Sequence, residues 1–248
     1  MGGIKRPPLR LSMTSVEEGV RVLFENPDAL YNYIFGGLSS AVERQCEVLI
    51  GKSDTVKYWY EIQSNTKFTE HISGKLKDMN YGQMAVPELL YALVRKFCPT
   101  VVVETGVAAG VSSAYILQAM EDNKYGHLYS IDLPNALPEE HHLPKDERSG
   151  FVVPHYLRQR WTLWIGKTEH LLEPLLFKTG KVDIFVHDSE HSYQNMCFEY
   201  NMVWDYIKNG GLLVSHDITM NKAFRDFVKS HNKKFDEIYF AGIGIIRK

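Results

Sequence analysis

The sequence predicts an α/β protein built on a doubly wound, mainly parallel β-sheet. From about Gly82 onward, short apolar runs alternate with amphipathic helical patterns, as in successive βαβ units. The last two apolar runs, residues 235–240 and 242–248, meet at Ala241 and Gly242, which leaves no room for a helix. Strands joined so tightly run antiparallel. We therefore expect five βα units followed by a terminal β-hairpin.

The strands of these units are predicted from short runs rich in β-branched and aromatic residues. They are expected at residues 100–105, 127–132, 161–166, 182–186 and 212–215. Helical spacing of apolar residues predicts one helix leading into the first strand and one helix after each strand except the second, which the long loop at 133–160 follows. These helices are expected at residues 86–98, 112–120, 168–176, 194–208 and 221–231, with Gly210 and Gly211 ending the helix at 194–208.

The first third of the chain has a polar, helical pattern that does not continue the sheet. Ser15 with Glu18 three residues later forms a capping box, and Pro27 breaks the helix that follows. We expect a helical N-terminal cap over residues 1–80 and the sheet-containing domain over residues 81–248. Aromatic surface on this cap would be consistent with a homodimer.

Composition narrows the classes of partner and compartment. The chain has 248 residues, 44% of them hydrophobic, and a net charge of -2. Such a balance gives no electrostatic case for nucleic acid or an anionic membrane and fits a small-molecule partner better. Cys46, Cys98 and Cys197 are far apart, and no apolar stretch reaches the roughly 20 residues that span a bilayer. We expect a cytoplasmic protein.

A glycine-containing loop, "ETGVAAGVSS", follows the first predicted strand. Gly106 and Gly110 permit a sharp turn and a close approach to the backbone at the start of a helix, whose free N–H groups attract negative charge. Ala108 replaces the middle glycine of the G-x-G-x-x-G pattern, which disfavours a dinucleotide and hence a nicotinamide dehydrogenase. The loop is either a cofactor loop or an ordinary tight turn.

Two further strand ends carry candidate cofactor contacts. Asp132 closes the second strand, where a carboxylate can accept both ribose hydroxyls of an adenosyl cofactor. Thr168 follows the third strand, where its hydroxyl could meet the adenine edge. The alternative for each residue is that it caps the N-terminus of a helix.

The segment "HDSEH", residues 187–191, matches the H-x-x-E-H pattern of inverted zinc proteases, which requires a helix. Here the preceding run, residues 182–186, is apolar and β-branched and predicts a buried strand. The polar cluster therefore falls on the turn that leaves the carboxyl end of this strand. This placement disfavours a metalloprotease.

Five motifs in this order resemble class I S-adenosylmethionine-dependent methyltransferases. They are "VVVETGVAAGVSSAYIL", "HLYSID", "WIGKTEHLL", "VDIFVHDSEHSY" and "NGGLLVSHDI". The likeness spans residues 82–248 and is nearest to small-molecule O-methyltransferases of the group with macrolide-sugar O-methyltransferases and cephalosporin-hydroxylase-like proteins. The E-x-G-x-x-x-G motif starting at Glu104 is similar to that of catechol O-methyltransferase. The resemblance implies a Rossmann-like fold and S-adenosylmethionine bound near Glu104, Gly106, Gly110, Asp132 and Thr168.

The same resemblance implies roles for the polar cluster. In that group an Asp after the fourth strand binds a divalent cation, and a His three residues later is the base, a pattern that Asp188 and His191 match. Two further ligands, usually acidic, end the fifth strand, where this chain has His216 and Asp217. Because His216 reduces the hard oxygen donors that Mg²⁺ prefers, either the metal is softer, such as Mn²⁺, or His216 serves as an acid or base without metal.

The sequence therefore predicts an S-adenosylmethionine-dependent O-methyltransferase acting on a hydroxylated small molecule, such as a sugar or natural product. A Mg²⁺ or Mn²⁺ ion and His191 would assist the reaction. The alternative is a cofactor-binding or hydroxylase-like module of the same fold that does not methylate, since fold alone does not fix a reaction.

Overall fold

The computed structural model describes residues 44, 46–77, 86–133, 143–144, 147–233, 235–238 and 242–248. The predicted capping box of Ser15 and Glu18 lies outside these residues. In the described part of the chain, no helix combines the length and apolar character that crossing a membrane requires.

The described strands form one seven-stranded sheet. In chain order they are β1 (Val101–Thr105), β2 (His127–Asp132), β3 (Trp161–Ile165), β4 (Val182–His187), β5 (Ile207–Ser215), β6 (Phe235–Ile238) and β7 (Ile243–Arg247). Their order across the sheet is β3-β2-β1-β4-β5-β7-β6. The strands β1 to β5 pair in parallel, and β7 is antiparallel to both β5 and β6. The predicted doubly wound sheet with a terminal hairpin is confirmed.

Helices accompany the sheet in the predicted order. They are α1 (Lys52–Ser64), α2 (Thr66–Lys75), α3 (Glu88–Phe97), α4 (Val111–Asn123), α5 (Thr168–Thr179), α6 (Tyr193–Trp204) and α7 (Ala223–Ser230). A short 3-10 helix, His155–Arg160, precedes β3 within the long connection after β2.

The central strands bury side chains on both faces of the sheet, which explains their continuous apolar sequences. Val102 and Ile184 face a core shared with α3 and α4, whereas Val103 and Phe185 face a second core shared with α5, α6 and α7. Buried residues of α1 and α2 join the first of these cores. The described part of the predicted cap therefore packs on the sheet domain, and the boundary at residue 80 stays a prediction.

The predicted end of the fourth βα helix is wrong. The helix predicted over 194–208 ends at Trp204, and β5 begins at Ile207, so Gly210 and Gly211 lie inside a strand. The reason is a register shift between β4 and β5 after Val182. Gly210 has a φ of 83°, and a side chain on Gly211 would press on backbone oxygens, so the glycines permit an irregular strand.

Candidate active site

The candidate site lies at the carboxyl ends of the four central parallel strands, where open α/β sheets bind ligands. Thr105 at the end of β1 pairs with Ile131 of β2 and His187 of β4, and His187 pairs with Ser215 of β5. The residues that follow these strands therefore become neighbours. They are the predicted site residues Gly106, Asp132, Asp188, His216 and Asp217.

The glycine loop after β1 is shaped by contacts within the chain. Gly106 has a φ of 83°, and a Cβ at this position would overlap the backbone carbonyl of Asp188. Gly110 has a φ of 94°, and its Cβ would lie 2.6 Å from the Cα of Gly150. Both glycines are thus required by close backbone approaches, and the one at Gly106 fixes the loop against the turn after β4.

Asp132 contributes directly to this loop. Its Oδ1 accepts a hydrogen bond from the backbone N–H of Val107 at 2.9 Å, and its Oδ2 accepts one from the Ser149 hydroxyl. Residues 134–142 lie outside the described part of the chain, so the alternative that Asp132 caps a following helix stays a prediction. Since a carboxylate has about four lone-pair sites, acceptor capacity remains for a ligand hydroxyl.

Glu104 is fully buried beneath the loop. Its carboxylate accepts hydrogen bonds from the hydroxyls of Ser112, Ser113 and Ser130, at 2.6 to 2.8 Å. Burial raises the pKa of Glu104 to about 7, although the three serine hydroxyls act in the opposite direction. This residue links the loop to the first turn of α4 and the end of β2.

The raised pKa of Glu104 predicts how the free energy of unfolding changes with pH. A carboxyl whose pKa is about 7 in the folded protein, against an ordinary value of 4.5 in the unfolded chain, costs stability as it ionises. The free energy of unfolding should therefore fall between pH 4.5 and about pH 8, by up to roughly 3 kcal/mol. The free energy of unfolding, measured with denaturant, should fall with pH more steeply in the native protein than in Glu104→Gln over this range. If the free energies of unfolding of the two proteins changed with pH in the same way, Glu104 would not have a raised pKa.

The acidic and histidine residues of the fourth and fifth strand ends form one cluster. The Asp188 Oδ1 atom lies 2.8 Å from His216 Nδ1 and 3.5 Å from His191 Nε2. Asp217 flanks them, with its Oδ2 3.6 Å from His216 Nδ1 and 3.8 Å from His191 Nδ1. The residues predicted for the base and the metal are thus brought together.

Charge pairing dominates this cluster. Burial by itself would raise the pKa of Asp188 and lower that of His216, but each group is held in its charged form by the other. The pKa of Asp188 falls to about 2 and that of His216 rises to about 9. At neutral pH the two form an ion pair in which the His216 Nδ1–H donates to Asp188.

The described residues contain one group whose donor atoms could share a metal ion. Asp188, His191 and His216 each offer a ligand atom, and these atoms lie within 4.8 Å of one another. One carboxylate and two imidazoles suit Mn²⁺, Fe²⁺ or Zn²⁺ better than Mg²⁺. The third member of this group is His191, whereas the sequence predicted Asp217 as the third metal ligand. Asp217 lies at the edge of the group.

Thr168 is the first residue of α5, and Lys167 occupies the cap position. The alternative that Thr168 is the helix cap is therefore incorrect. Its hydroxyl instead donates to Asn195 Oδ1 at 3.2 Å, which connects the end of β3 to α6.

Sequence reasoning missed Glu199, a fully buried carboxylate on α6 that hydrogen-bonds to His187 Nδ1 at 2.7 Å. The buried stripe of this helix is Met196, Glu199, Tyr200 and Val203, together with Trp204. The sequence did contain a signal for this role, because Glu199 lies within an otherwise apolar stripe at i, i+3, i+4 and i+7 spacing. A charged side chain on such a face is buried only when it has hydrogen-bond or charge partners.

Known structures share this fold. The SAH-bound methyltransferase PaMTH1 of Podospora anserina is similar with a TM-score of 0.54 and 13% identity, covering 73% of this chain and 86% of that chain. A putative caffeoyl-CoA O-methyltransferase from Staphylococcus aureus also has a TM-score of 0.54 at 13% identity, with coverages of 76% and 95%. A methyltransferase from Geobacter sulfurreducens has a TM-score of 0.53 at 15% identity, with coverages of 73% and 88%. No curated protein sequence matches the chain.

The fold of this chain is that of class I methyltransferases. Residues 103–218, which run from β1 to just beyond β5, match the family model described as a methyltransferase domain. The matched domain and the shared fold support an S-adenosylmethionine-dependent methyltransferase.

Proposed function

We propose that the protein transfers the methyl group of S-adenosylmethionine to a hydroxyl oxygen of a small molecule, such as a sugar or natural product. The observation that carries this proposal is the contact between Gly106 of the glycine loop and the Asp188 turn. It joins the expected cofactor loop to a cluster of two carboxylates and two histidines. A methyl donor and an acceptor hydroxyl bound on the two sides of this contact would be neighbours.

The cofactor would be held by residues around the glycine loop. Asp132 accepts from Val107, Ala108 and Ser149 and keeps acceptor capacity for one ribose hydroxyl. The N-terminus of α4, which has no side-chain cap, offers N–H groups after Gly110. Glu104 would support the loop through its serine contacts, and Thr168 lies at the strand end where adenine is expected. These residues fit an adenosyl ligand without side-chain charges that would repel its sulfonium.

His191 is the proposed base. Among the described residues, His187 and His191 have a buried Nε2 atom that makes no hydrogen bond, and His191 belongs to the Asp188 cluster. In the transfer, a bond forms between the acceptor oxygen and the methyl carbon while the carbon–sulfur bond breaks and its electron pair stays on sulfur. The hydroxyl proton moves to an imidazole nitrogen of His191, and Asp188 stabilises the resulting charge.

A divalent cation would be held by Asp188 and His216, with Asp217 as the third ligand, and its binding would displace a proton from the His216 imidazole. The fit is supported by the distances from His216 Nδ1 to Asp188 Oδ1, 2.8 Å, and to Asp217 Oδ2, 3.6 Å, and by the imidazole nitrogen of His216, which favours Mn²⁺ over Mg²⁺. When bound, such an ion would orient the acceptor hydroxyl and lower its pKa. His191 would then stay free to receive the proton.

The proposed division of the chain gives residues 1–80 to a helical cap and residues 81–248 to the methyltransferase domain. The cap and the connection after β2 would shape the acceptor pocket. A homodimer, suggested by the aromatic residues of the cap, belongs to the same proposal. So do a cytoplasmic location and the absence of nucleic-acid partners, which rest on composition and charge.

The function is tested with methyl-labelled S-adenosylmethionine and a panel of hydroxylated acceptors, including sugars and phenols, with and without Mn²⁺. We expect label in an O-methylated product and a loss of at least about 100-fold for Asp188→Asn, because the base and cation would lose their carboxylate. Cofactor binding without transfer to any acceptor would favour the non-methylating alternative. Near-normal transfer by Asp188→Asn would contradict the assigned site.

A further inference from the structure

Glu199 is the centre of a buried hydrogen-bond network beneath the candidate active site. Its Oε2 accepts from His187 Nδ1 at 2.7 Å and from the Thr105 hydroxyl at 2.5 Å. Its Oε1 accepts from the Ser189 hydroxyl at 2.7 Å and from the Asn195 amide at 3.1 Å. Burial alone would raise the pKa of Glu199, but its interactions with these neighbours, above all His187, lower it. The carboxylate is therefore ionised and accepts from four donors.

These four donors come from elements that carry different parts of the site. Thr105 is the last residue of β1 and directly precedes Gly106 of the glycine loop. His187 and Ser189 flank Asp188 in the chain, so Glu199 contacts the turn on both sides of that residue.

Asn195 extends the network further. Its amide also donates to the backbone carbonyl of Glu190 at 2.9 Å, next to His191, and its Oδ1 accepts from Thr168 at the start of α5. One carboxylate on α6 therefore connects the ends of β1 and β4 directly and the end of β3 through one amide.

We infer that Glu199 is a positioning residue for methyl transfer, which holds the turn carrying Asp188 and His191 at a fixed place relative to the glycine loop. The inference rests on the proposed function, because that function places the methyl donor and the acceptor on the two sides of this junction. In-line transfer depends on such placement, and a displacement of about 1 Å can cost about 100-fold in rate.

The isosteric change Glu199→Gln tests the inference. Glutamine keeps the shape but replaces one acceptor oxygen by an N–H₂ donor, which would then face donors from His187 and Thr105 or from Ser189 and Asn195. The network must shift, and the turn at residues 187–191 shifts with it.

Asp183 provides a matched control. Like Glu199, Asp183 is a carboxylate with several donors: the backbone N–H groups of Thr100 and Val101 and the Lys208 ammonium. Asp183 belongs to β4 itself and lies near the amino end of that strand, away from the candidate site. Asp183→Asn should lower stability without changing the strand-end geometry. Comparing the two variants separates positioning from general stabilisation.

The measurements are S-adenosylhomocysteine affinity, steady-state transfer to an active acceptor and denaturant unfolding of the full chain. For Glu199→Gln we expect a kcat reduced by about 30- to 100-fold, with the affinity for S-adenosylhomocysteine within about threefold of the native value. Asp183→Asn should keep kcat within about twofold. Glu199→Asp, which retains the carboxylate, should recover part of the lost rate.

Three results would overturn the inference: native kcat in Glu199→Gln, equal losses of kcat in Glu199→Gln and Asp183→Asn, or no recovery in Glu199→Asp. If Glu199→Gln does not fold, Ser189→Ala removes one donor from the turn and should lower kcat by about 10-fold at unchanged cofactor affinity. A native protein that binds no S-adenosylhomocysteine and transfers no methyl group would instead refute the proposed function.

Discussion

Replacing His191 by alanine is expected to reduce methyl transfer by about 100- to 10,000-fold, the usual contribution of a positioned general base. The imidazole is the proposed proton acceptor, and its Nε2 is buried beside Asp188 at 3.5 Å. Because alanine removes only the base, binding of S-adenosylhomocysteine and of Mn²⁺ should persist. Steady-state transfer and calorimetric titration of both ligands check these expectations together.

His170→Ala is the control for this substitution, since His170 is an exposed histidine of α5 whose side chain retains 72% of its accessible surface. It should leave transfer unchanged. Loss of Mn²⁺ binding in His191→Ala would mean that His191 is a metal ligand, in agreement with its place within the three-residue donor group, and that another group takes the proton. Retention of near-normal transfer would exclude a catalytic role for His191.

Gly106→Ala should be the most damaging substitution in the glycine loop. A left-handed φ of 83° costs an alanine about 1 to 2 kcal/mol, and the added Cβ would overlap the backbone carbonyl of Asp188. The overlap adds an overpacking cost of about 1 to 3 kcal/mol and pushes the loop and the Asp188 turn apart. We expect lower stability together with a loss of at least about 10-fold in S-adenosylhomocysteine affinity.

Gly210→Ala isolates the overlap from the backbone strain, because Gly210 has the same φ of 83° with nothing within 4 Å of its Cβ position. Denaturant unfolding should show a smaller loss of stability for Gly210→Ala, and cofactor affinity should be unchanged. Equal losses of stability in the two variants would contradict the close approach between Gly106 and Asp188.

Much of this architecture is readable from local sequence, because buried parallel strands require short continuous apolar runs. The run "VDIFV" places Asp188 at a strand end, and "HLYSID" does the same for Asp132. Both positions depend only on where an apolar run stops, so they are insensitive to long-range packing. The terminal hairpin is equally local, since its short connection excludes a crossover helix.

Features that depend on contacts between distant segments could not be predicted in this way. The early start of β5 at Ile207 reflects pairing with Val182 across a register shift, which no local pattern of glycines encodes. The burial of Glu199 depends on donors from Thr105 and His187, 94 and 12 residues away in sequence. The sequence also could not show that His191, rather than Asp217, joins Asp188 and His216 as a possible metal donor, because this depends on the conformation of the turn after β4.

The most direct test of the central claim is calorimetric titration of the purified, metal-stripped protein with S-adenosylhomocysteine, with NAD as the control ligand. We predict that S-adenosylhomocysteine binds with a micromolar dissociation constant and that NAD gives no heat. In Gly106→Ala, the affinity for S-adenosylhomocysteine should be at least about tenfold weaker. No binding of S-adenosylhomocysteine, with or without Mn²⁺, would contradict the assignment of the strand-end site as a methyl-donor site.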